Sequence, residues 1–421
     1  MNAFDVDAIR ARFPALAADA AGIEPLVLDG PGGTQVPRQV PEAISAYLLG
    51  SNANLGGQYT ASRDTGAIVD AARHAGADFY GARPGEIIFG PNATTLLFNL
   101  SRAVAREWKP GDEIIVTALD HWANVSPWRL AAQDAGVTVH EVRIDERDCS
   151  LDLDHLASLL NERTRLVAFT AASNTTGTRV DIPAVTRLVR EHSEALTCVD
   201  AVHHAPHARI DVKAFDCDFL VSSAYKYFGP HLGMLFGRAE VLAALTPYKV
   251  APAKDIDPNR WETGTQSFEA LSGFVAAVNY LASLAGDMEG RQDGGDRSAA
   301  LDRAFEFIGQ HEDAIGRRFL ERARSLPGMR IAGINDPDRA LERTATFGFQ
   351  LDGVAPGDLA EWLGQRHARV GQGNFYARGL YRQLGLTETD GVVRAGFMHY
   401  NRLEDVDRFF GILAGHPALE G

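Results

Sequence analysis

Residues 221–230 read Val-Ser-Ser-Ala-Tyr-Lys-Tyr-Phe-Gly-Pro. The apolar start of this stretch predicts the end of a buried strand, and the Gly-Pro pair stops regular structure shortly after Lys226. A lysine in a half-buried polar pocket at a strand end can have a lowered pKa and act as a Schiff-base nucleophile. Most lysines are instead solvated on the surface, so this stretch alone leaves both interpretations open.

Outward from this stretch, short apolar runs alternate with helical patterns between residues 65 and 240. This alternation is typical of a parallel sheet covered by helices, which predicts an α/β fold. The predicted strands span residues 86–89, 113–117, 138–142, 166–170, 196–199, 219–222 and 234–236. In such a sheet ligands bind at the carboxyl ends of the strands, where Lys226 would lie.

The second half of the chain has a different pattern. A Gly- and charge-rich stretch at residues 286–297 predicts a hinge or a surface insertion. Beyond it we predict a smaller α+β domain, with helices at about 299–325, 357–366 and 403–414 and strands at 346–351 and 392–398. The predicted division is an N-terminal segment at 1–20 that packs on the small domain, a large domain at 21–285 and a small C-terminal domain at 286–421.

The composition excludes several classes of protein. With 421 residues, 45% of them hydrophobic, the chain can bury a large core. It has no run of about eighteen consecutive apolar residues and no secretion signal, so we expect a cytoplasmic protein. The net charge of −14 disfavours nucleic-acid and anionic-membrane partners. Three cysteines without CxxC spacing predict neither a disulfide framework nor a structural zinc site.

A carboxylate ends the strand before the one that leads to Lys226. Residues 196–204 read Leu-Thr-Cys-Val-Asp-Ala-Val-His-His. Asp200 at this strand end could pair with a protonated pyridine nitrogen and keep the ring cationic, or it could simply cap the following turn. The combination of Asp200 with Lys226 is far more specific than either residue alone.

A third motif precedes a predicted long helix. Residues 90–95 read Gly-Pro-Asn-Ala-Thr-Thr. At a helix N-terminus, Ala93, Thr94 and Thr95 would expose backbone N–H groups and two hydroxyls that suit a phosphate. An ordinary N-cap is an equally good explanation of this motif by itself.

The order of these motifs resembles the class V aminotransferases, and most closely the cysteine desulfurase and selenocysteine lyase branch of the fold-type I pyridoxal 5'-phosphate (PLP) enzymes. The resemblance covers nearly the whole chain. It implies a fold-type I transferase with a large, seven-stranded, mainly parallel sheet domain and a smaller α+β C-terminal domain. It also implies PLP bound to Lys226, an amino acid as substrate, and a homodimer with shared active sites.

The resemblance also implies roles for individual residues. Four of them would be catalytic: Lys226, Asp200, Trp122 and His203. Trp122 would stack on the cofactor ring, and Asn174 and His203 would contact its phenolic oxygen. Ser223 would bind the phosphate beside Ala93, Thr94 and Thr95, Tyr225 stands where the family commonly has His, and Thr265 would reach the phosphate of the neighbouring subunit. Arg394 would bind the substrate α-carboxylate by a bidentate pair.

Two segments depart from the desulfurase pattern. The loop at residues 370–378 has Asn374, Phe375 and Tyr376 where a desulfurase has its nucleophilic cysteine, and no cysteine follows Cys217. Asn54 lies in a segment where the desulfurases have a His-Arg pair. We assign Asn54 and Asn374 to the substrate mouth. These departures favour a C–S lyase that works by β-elimination without persulfide transfer, with an aminotransferase or an epimerase as the alternative.

Two readings from other classes compete with a PLP enzyme. Asp200, His203, His204 and His207 could be metal ligands of a hydrolase. Adjacent histidines in an extended chain face opposite sides, however, and no HExxH helix accompanies them, so we expect no metal site. A non-catalytic binding module is the other alternative, since a fold does not guarantee activity. The joint presence of Lys226, Asp200, Asn174 and Arg394 argues against it.

Overall fold

The structure, a computed structural model, describes residues 5–289, 296–387, 389 and 391–419. In that part of the chain the strands are β1 (Leu26–Val27), β2 (Ile87–Gly90), β3 (Glu113–Thr117), β4 (Thr138–Val142), β5 (Thr164–Thr170), β6 (Leu196–Asp200), β7 (Phe219–Ser223), β8 (Gly233–Gly237), β9 (Met329–Ile331), β10 (Thr346–Leu351), β11 (Ala368–Arg369), β12 (Gly371–Gly373) and β13 (Val392–Gly396). The α-helices are α1 (Val6–Arg10), α2 (Gln39–Gly50), α3 (Thr60–Tyr80), α4 (Ala93–Val104), α5 (Ser126–Ala135), α6 (Leu153–Leu159), α7 (Ile182–His192), α8 (Val212–Phe215), α9 (Ala239–Ala244), α10 (Phe268–Glu289), α11 (Arg297–Arg324), α12 (Pro356–Gly364), α13 (Arg378–Gln383) and α14 (Leu403–Ala414).

The large sheet has seven strands in the order β2-β8-β7-β6-β5-β3-β4. Strand β8 runs antiparallel to both of its neighbours, and the other neighbouring strands are parallel. The central strands β5 and β7 are buried except for Arg165, which is partly exposed, as expected where helices cover both faces of the sheet. The predicted seven-stranded, mainly parallel sheet is therefore confirmed, with each strand end within two residues of its predicted position.

The small domain is built on a four-stranded antiparallel sheet in the order β12-β13-β10-β9. Its core includes Phe319 of α11, whose ring lies 3.8 Å from that of Phe347 in β10. Phe409 of α14 stacks on the same Phe319 ring at 5.7 Å. Helices packed on one sheet face by such aromatic contacts confirm the predicted smaller α+β domain.

The N-terminal residues contact the small domain. Strand β1 pairs with β11, and Asp29 forms a parallel bridge with Gly396 at the end of β13. Arg10 donates a hydrogen bond to the carbonyl of Tyr400 at 3.0 Å. Contacts of this kind continue through Asp29, beyond the end of the predicted segment at residue 20. The domain bounds themselves stay predictions, and residues 290–295 of the predicted Gly-rich stretch lie outside the described residues.

Helix α10 contains a segment, Phe268–Asp287, that is long and apolar enough to cross a membrane by length and composition alone. However, 67% of its most apolar window is buried inside the protein. Its ring contacts include Phe274 against Phe89 of β2 at 5.5 Å. This helix is therefore packed as a core helix of the large domain.

The parallel strands β5, β6 and β7 end at the same edge of the large sheet. Helix α4 begins close to this edge, because the Ala93 N–H in its first turn donates a hydrogen bond to Ser223 Oγ at the end of β7. Asn92 caps the helix by accepting a hydrogen bond from the Thr95 N–H at 2.8 Å. Gly233 at the start of β8 makes this approach possible, since a Cβ atom there would lie 2.5 Å from the backbone of Asn92. The sheet edge and the start of α4 thus face one space.

Candidate active site

A cavity of about 1060 Å³ lies at this edge of the sheet. Most of the site residues predicted from sequence line it: Ala93, Thr94, Thr95, Asn174, Asp200, His203, Ser223, Tyr225, Lys226, Asn374 and Arg394. These residues come from both domains. The cavity therefore brings together side chains that are far apart in sequence.

Lys226 follows β7 in a short 3₁₀ turn, Ala224–Lys226. Its Nζ donates hydrogen bonds to the carbonyls of Pro31 and Gly32, the latter at 3.0 Å. Burial, followed by the positive charge of the nearby Arg394, lowers the pKa of Lys226 from 10.5 to about 8. The amine therefore loses its proton far more readily than an ordinary lysine, as a nucleophile or a general base requires.

Asp200 is the last residue of β6, the strand that pairs directly with β7. Its Oδ1 accepts a hydrogen bond from the Val202 N–H at 2.9 Å. Burial raises the pKa of Asp200 to about 6, while that N–H and the Lys226 charge act in the opposite direction. A buried carboxylate of this kind is stabilised by a positive partner inside the cavity, such as a protonated ring nitrogen.

The start of α4 offers donors to an anion. Ser223 Oγ accepts a hydrogen bond from the Ala93 N–H at 2.9 Å, which fixes the end of β7 against the helix. Thr94 and Thr95, which both carry hydroxyl groups, line the same cavity. Hydroxyls and the positive end of a helix together suit a phosphate group.

Arg394 of β13 reaches the cavity from the small domain. Its Nη1 donates to the carbonyl of Asn174 at 2.9 Å, and its Nη2 lies 3.2 Å from Asp29 Oδ1. The guanidinium also lies 3.8 Å from the centre of the Phe375 ring. Burial lowers the pKa of Arg394, which remains the cation of this wall and a suitable partner for a carboxylate.

The loop that contains Asn374 is held against the cavity in an unusual conformation. Phe375 and Tyr376 have φ angles of 48° and 58°, in the left-handed region that non-glycine residues rarely adopt. The Phe375 carbonyl accepts a hydrogen bond from Asn174 Nδ2 and the Tyr376 carbonyl accepts one from the Trp122 N–H, both at 2.9 Å. These bonds hold the loop that contains Phe375 and Tyr376 against Asn174 and Trp122.

The structure brings His121 into the cavity wall, not Trp122, which the resemblance had suggested for stacking on the cofactor ring. His121 lines the cavity, whereas Trp122 does not and instead lies 4.6 Å below the Arg378 guanidinium. The two side chains diverge because the chain enters a 3₁₀ turn at Trp122, with His121 Nδ1 accepting the Ala123 N–H at 3.0 Å. Burial, followed by the charges of Lys226 and Arg394, lowers the pKa of His121 to about 4. His121 is thus a neutral ring at neutral pH.

His203 and Tyr225 also face this space. His203 Nε2 lies 3.2 Å from Thr344 Oγ1, and burial lowers its pKa well below the usual value, so the ring is neutral. Tyr225 stacks on His231 with ring centres 4.8 Å apart. His231 lines the cavity but was not predicted, because nothing in its local sequence distinguishes it from a surface histidine.

Two predicted residues lie elsewhere. Asn54 is exposed, and its carbonyl accepts a hydrogen bond from Ser62 Oγ at 2.6 Å. Thr265 is exposed as well, and neither residue lines the cavity of its own chain. For Thr265 this agrees with the expectation that it serves a neighbouring subunit, which stays a prediction.

The metal-site alternative depends on how Asp200, His203, His204 and His207 are arranged in the structure. Among the described residues, no group of three or more His, Cys, Asp and Glu side chains is arranged to hold a metal ion. His207 pairs with Glu312 at 2.7 Å, and the His204 ring packs on Phe215. These two histidines thus contact Glu312 and Phe215 in the protein interior.

The family model for aminotransferase class-V matches residues 26–294 and 298–409. The chain belongs to the class V aminotransferase family. It is 32% identical over 416 residues to the aminotransferase-like protein FGM3 of Gibberella zeae, with 97% of both chains covered. It is 31% identical over 427 residues to a probable cysteine desulfurase of Streptomyces coelicolor, covering 96% of this chain and 95% of the relative. The solved cysteine desulfurase CsdA of Escherichia coli matches with a TM-score of 0.82 at 25% identity, covering 98% of both chains.

This class V aminotransferase family member is a PLP-dependent enzyme, as predicted, and its fold is that of the family. The residues of the cavity fit the cofactor. The start of α4 with Ser223 suits the phosphate, the Lys226 amine suits the aldehyde, and buried Asp200 suits the ring nitrogen. Asn174 Oδ1 is buried without a hydrogen-bond partner, so this wall has an unused polar atom where a ligand could bind.

Proposed function

We propose that this desulfurase-like enzyme is a β-elimination lyase that breaks the C–S bond of a cysteine-like or other β-substituted amino acid. In this proposal the sulfur leaves as a thiol or a sulfenate, and no persulfide forms on the enzyme. The observation that carries it is the state of the three cysteines. The proposal also includes a homodimer with shared sites and a cytoplasmic location.

Each cysteine is fully buried: Cys149, Cys198 and Cys217 are all 0% exposed. Burial raises the pKa of Cys149 to about 12, and it raises the pKa of the other two thiols as well. The thiolate is the nucleophilic form of cysteine, and reactive cysteines are partly exposed in electropositive surroundings. None of the three thiols therefore suits the attack on a substrate sulfur that persulfide transfer requires.

We assign the cofactor contacts as follows. The phosphate lies at Ala93, Thr94, Thr95 and Ser223, with Thr265 of a second subunit beside it. Asp200 pairs with the ring nitrogen, Asn174 and His203 lie near the phenolic oxygen, and Tyr225 supports Lys226. His121 takes the stacking position that the sequence had suggested for Trp122, because only His121 lines the cavity.

When bound, PLP supplies an electron acceptor for the pair released at the substrate Cα. Arg394 holds the α-carboxylate and so orients the Cα–H bond toward Lys226. The Lys226 amine takes the Cα proton, for which a pKa of about 8 is well matched to neutral pH. The Cβ–S bond then breaks, and the sulfur leaves with the bonding electrons. Asn374 and the loop around it face the β-substituent.

Transamination is the second candidate, because the relative that is 32% identical over nearly the whole chain is called aminotransferase-like. The same base and the same carboxylate site would serve it. Elimination and transamination differ in where Lys226 delivers the proton that it takes from Cα.

The test is incubation of the holoenzyme with a panel of amino acids while keto acid, ammonia and sulfide or thiol are measured separately. A lyase releases keto acid, ammonia and the sulfur product in equal amounts. An aminotransferase releases no ammonia and needs a keto acid as amino acceptor. A variant with all three cysteines replaced by alanine is the matched control. Lyase turnover that disappears in this variant, while the fold is retained, would contradict the proposal.

A further inference from the structure

The carboxylate of Asp29 lies against the Arg394 guanidinium, although 365 residues separate them in sequence. The side chain of Arg394 is 4% exposed and that of Asp29 is 43% exposed. The backbone fixes their relative position, because Asp29 forms a parallel bridge with Gly396, two residues after Arg394. Asp29 itself is absent from the residues that line the cavity.

Arg394 is held from three directions. Asp29 Oδ1 accepts a hydrogen bond from Nη2, the Asn174 carbonyl accepts one from Nη1, and the Phe375 ring covers one face of the guanidinium. Each Nη carries a second N–H. Rotation of the planar group is therefore restricted, while N–H groups remain for a carboxylate in the cavity.

Two glycines make room for Asp29. A Cβ atom at Gly32 would lie 2.5 Å from Asp29 Oδ2, and one at Gly371 would lie 2.9 Å from Oδ1. The Gly32 carbonyl also accepts a hydrogen bond from Lys226 Nζ. The Asp29 carboxylate thus occupies a space that the absent side chains of Gly32 and Gly371 leave open for it.

We infer that Asp29 is a positioning residue that aims the Arg394 guanidinium at the α-carboxylate of the substrate. This inference rests on the proposed role of Arg394 in substrate binding. Asp29 is nearly half exposed, so solvent screens its charge, and orientation of the guanidinium is its main contribution. Asp29 acts through Arg394 and does not touch the substrate.

The experiment measures binding of two small amines to the holoenzyme through the absorbance of bound PLP. 2-Aminoisobutyrate has an α-carboxylate but no proton on Cα, so it binds without turnover, and ethylamine has no carboxylate. We expect Asp29→Ala to weaken 2-aminoisobutyrate binding about tenfold and to leave ethylamine binding unchanged. With a reactive amino acid, KM should rise by the same factor while kcat changes by less than about twofold.

Two further variants sharpen the result. Asp29→Asn retains an oxygen that accepts the bond from Arg394 Nη2, so it should restore most of the binding. Asp7→Ala is the control, since Asp7 is an exposed carboxylate that pairs with Arg402 at 2.6 Å outside the cavity. If Asp29→Asn binds as weakly as Asp29→Ala, orientation is not what Asp29 contributes, and the inference is wrong.

Arg394→Ala separates this inference from the proposed site. If Arg394→Ala weakens 2-aminoisobutyrate binding and Asp29→Ala does not, only the role of Asp29 is refuted. If neither variant has an effect, the carboxylate binds elsewhere and both proposals fail. Should Asp29→Ala not fold, Gly32→Ala tests the same point, because its methyl group would lie 2.5 Å from Asp29 Oδ2 and would displace the carboxylate, which should produce the same selective loss.

Discussion

Asp200 and Lys226 reach one cavity from the ends of neighbouring parallel strands, β6 and β7. Burial moves their pKa values toward each other, to about 6 for the carboxyl group and about 8 for the amine. Each charge in turn stabilises the other, which limits both shifts. A carboxylate and a readily deprotonated amine thus coexist near neutral pH, which is the condition for holding a cationic ring next to a base.

Lys226→Ala should abolish the covalent bond to the PLP aldehyde and lower turnover by about 10²-fold to 10⁴-fold, the usual contribution of a general base. The check is the near-visible absorbance band of purified protein, together with mass spectrometry after borohydride reduction. Lys213→Ala is the control, because Lys213 is an exposed lysine of α8. A Lys226→Ala enzyme that keeps both the band and its activity would refute the assignment.

The rate at which the apoenzyme combines with PLP should depend on pH through the amine of Lys226. Only the unprotonated amine attacks the aldehyde, so the rate should rise with pH and level off above about 8, the lowered pKa of this lysine. Stopped-flow absorbance over a pH series measures it. A rate that keeps rising toward the ordinary lysine value of 10.5 would contradict the lowered pKa.

Arg394→Ala should weaken amino-acid binding by about 2 to 4 kcal/mol and raise KM accordingly, as expected when one partner of a buried charge pair is removed. The loss should appear in KM more than in kcat, since the carboxylate remains bound through the reaction. Arg366→Ala is the control, because Arg366 is exposed and packs on Trp362 outside the cavity. If KM does not change, the carboxylate binds elsewhere, and Arg378 beside Trp122 is the first candidate.

Single replacements of Cys149, Cys198 and Cys217 by alanine should leave turnover unchanged. Each thiol is buried with a raised pKa, so none is available as a nucleophile. Stability should fall by about 1 kcal/mol for each, the typical result of a small change in a packed core, and thermal unfolding measures it. One replacement that abolishes turnover but not folding would revive persulfide transfer.

Much of the fold could be predicted from sequence because the strands are short apolar runs with clear ends. Strands β3 and β4 and helix α14 have the predicted bounds. Contacts across the cavity could not be predicted in the same way. The Asp29–Arg394 pair joins residues 365 positions apart, and the stacking of His231 on Tyr225 depends on how the chain turns after Gly229. Periodicity carries information about neighbours on one element, not about such distant pairs.

The choice between His121 and Trp122 shows the same limit within two residues. A sequence pattern identifies the aromatic pair, but the direction of the 3₁₀ turn decides which ring faces the cavity.

His121→Ala should therefore weaken PLP binding about tenfold, the value of one aromatic stacking contact, and alter the absorbance of bound PLP. Trp122→Phe should change both far less, since Trp122 packs on Arg378. Equilibrium dialysis and absorbance spectra of the two variants give the answer. The reverse order of effects would return the stacking position to Trp122 and would require the turn at residues 122–124 to have the opposite orientation in the holoenzyme.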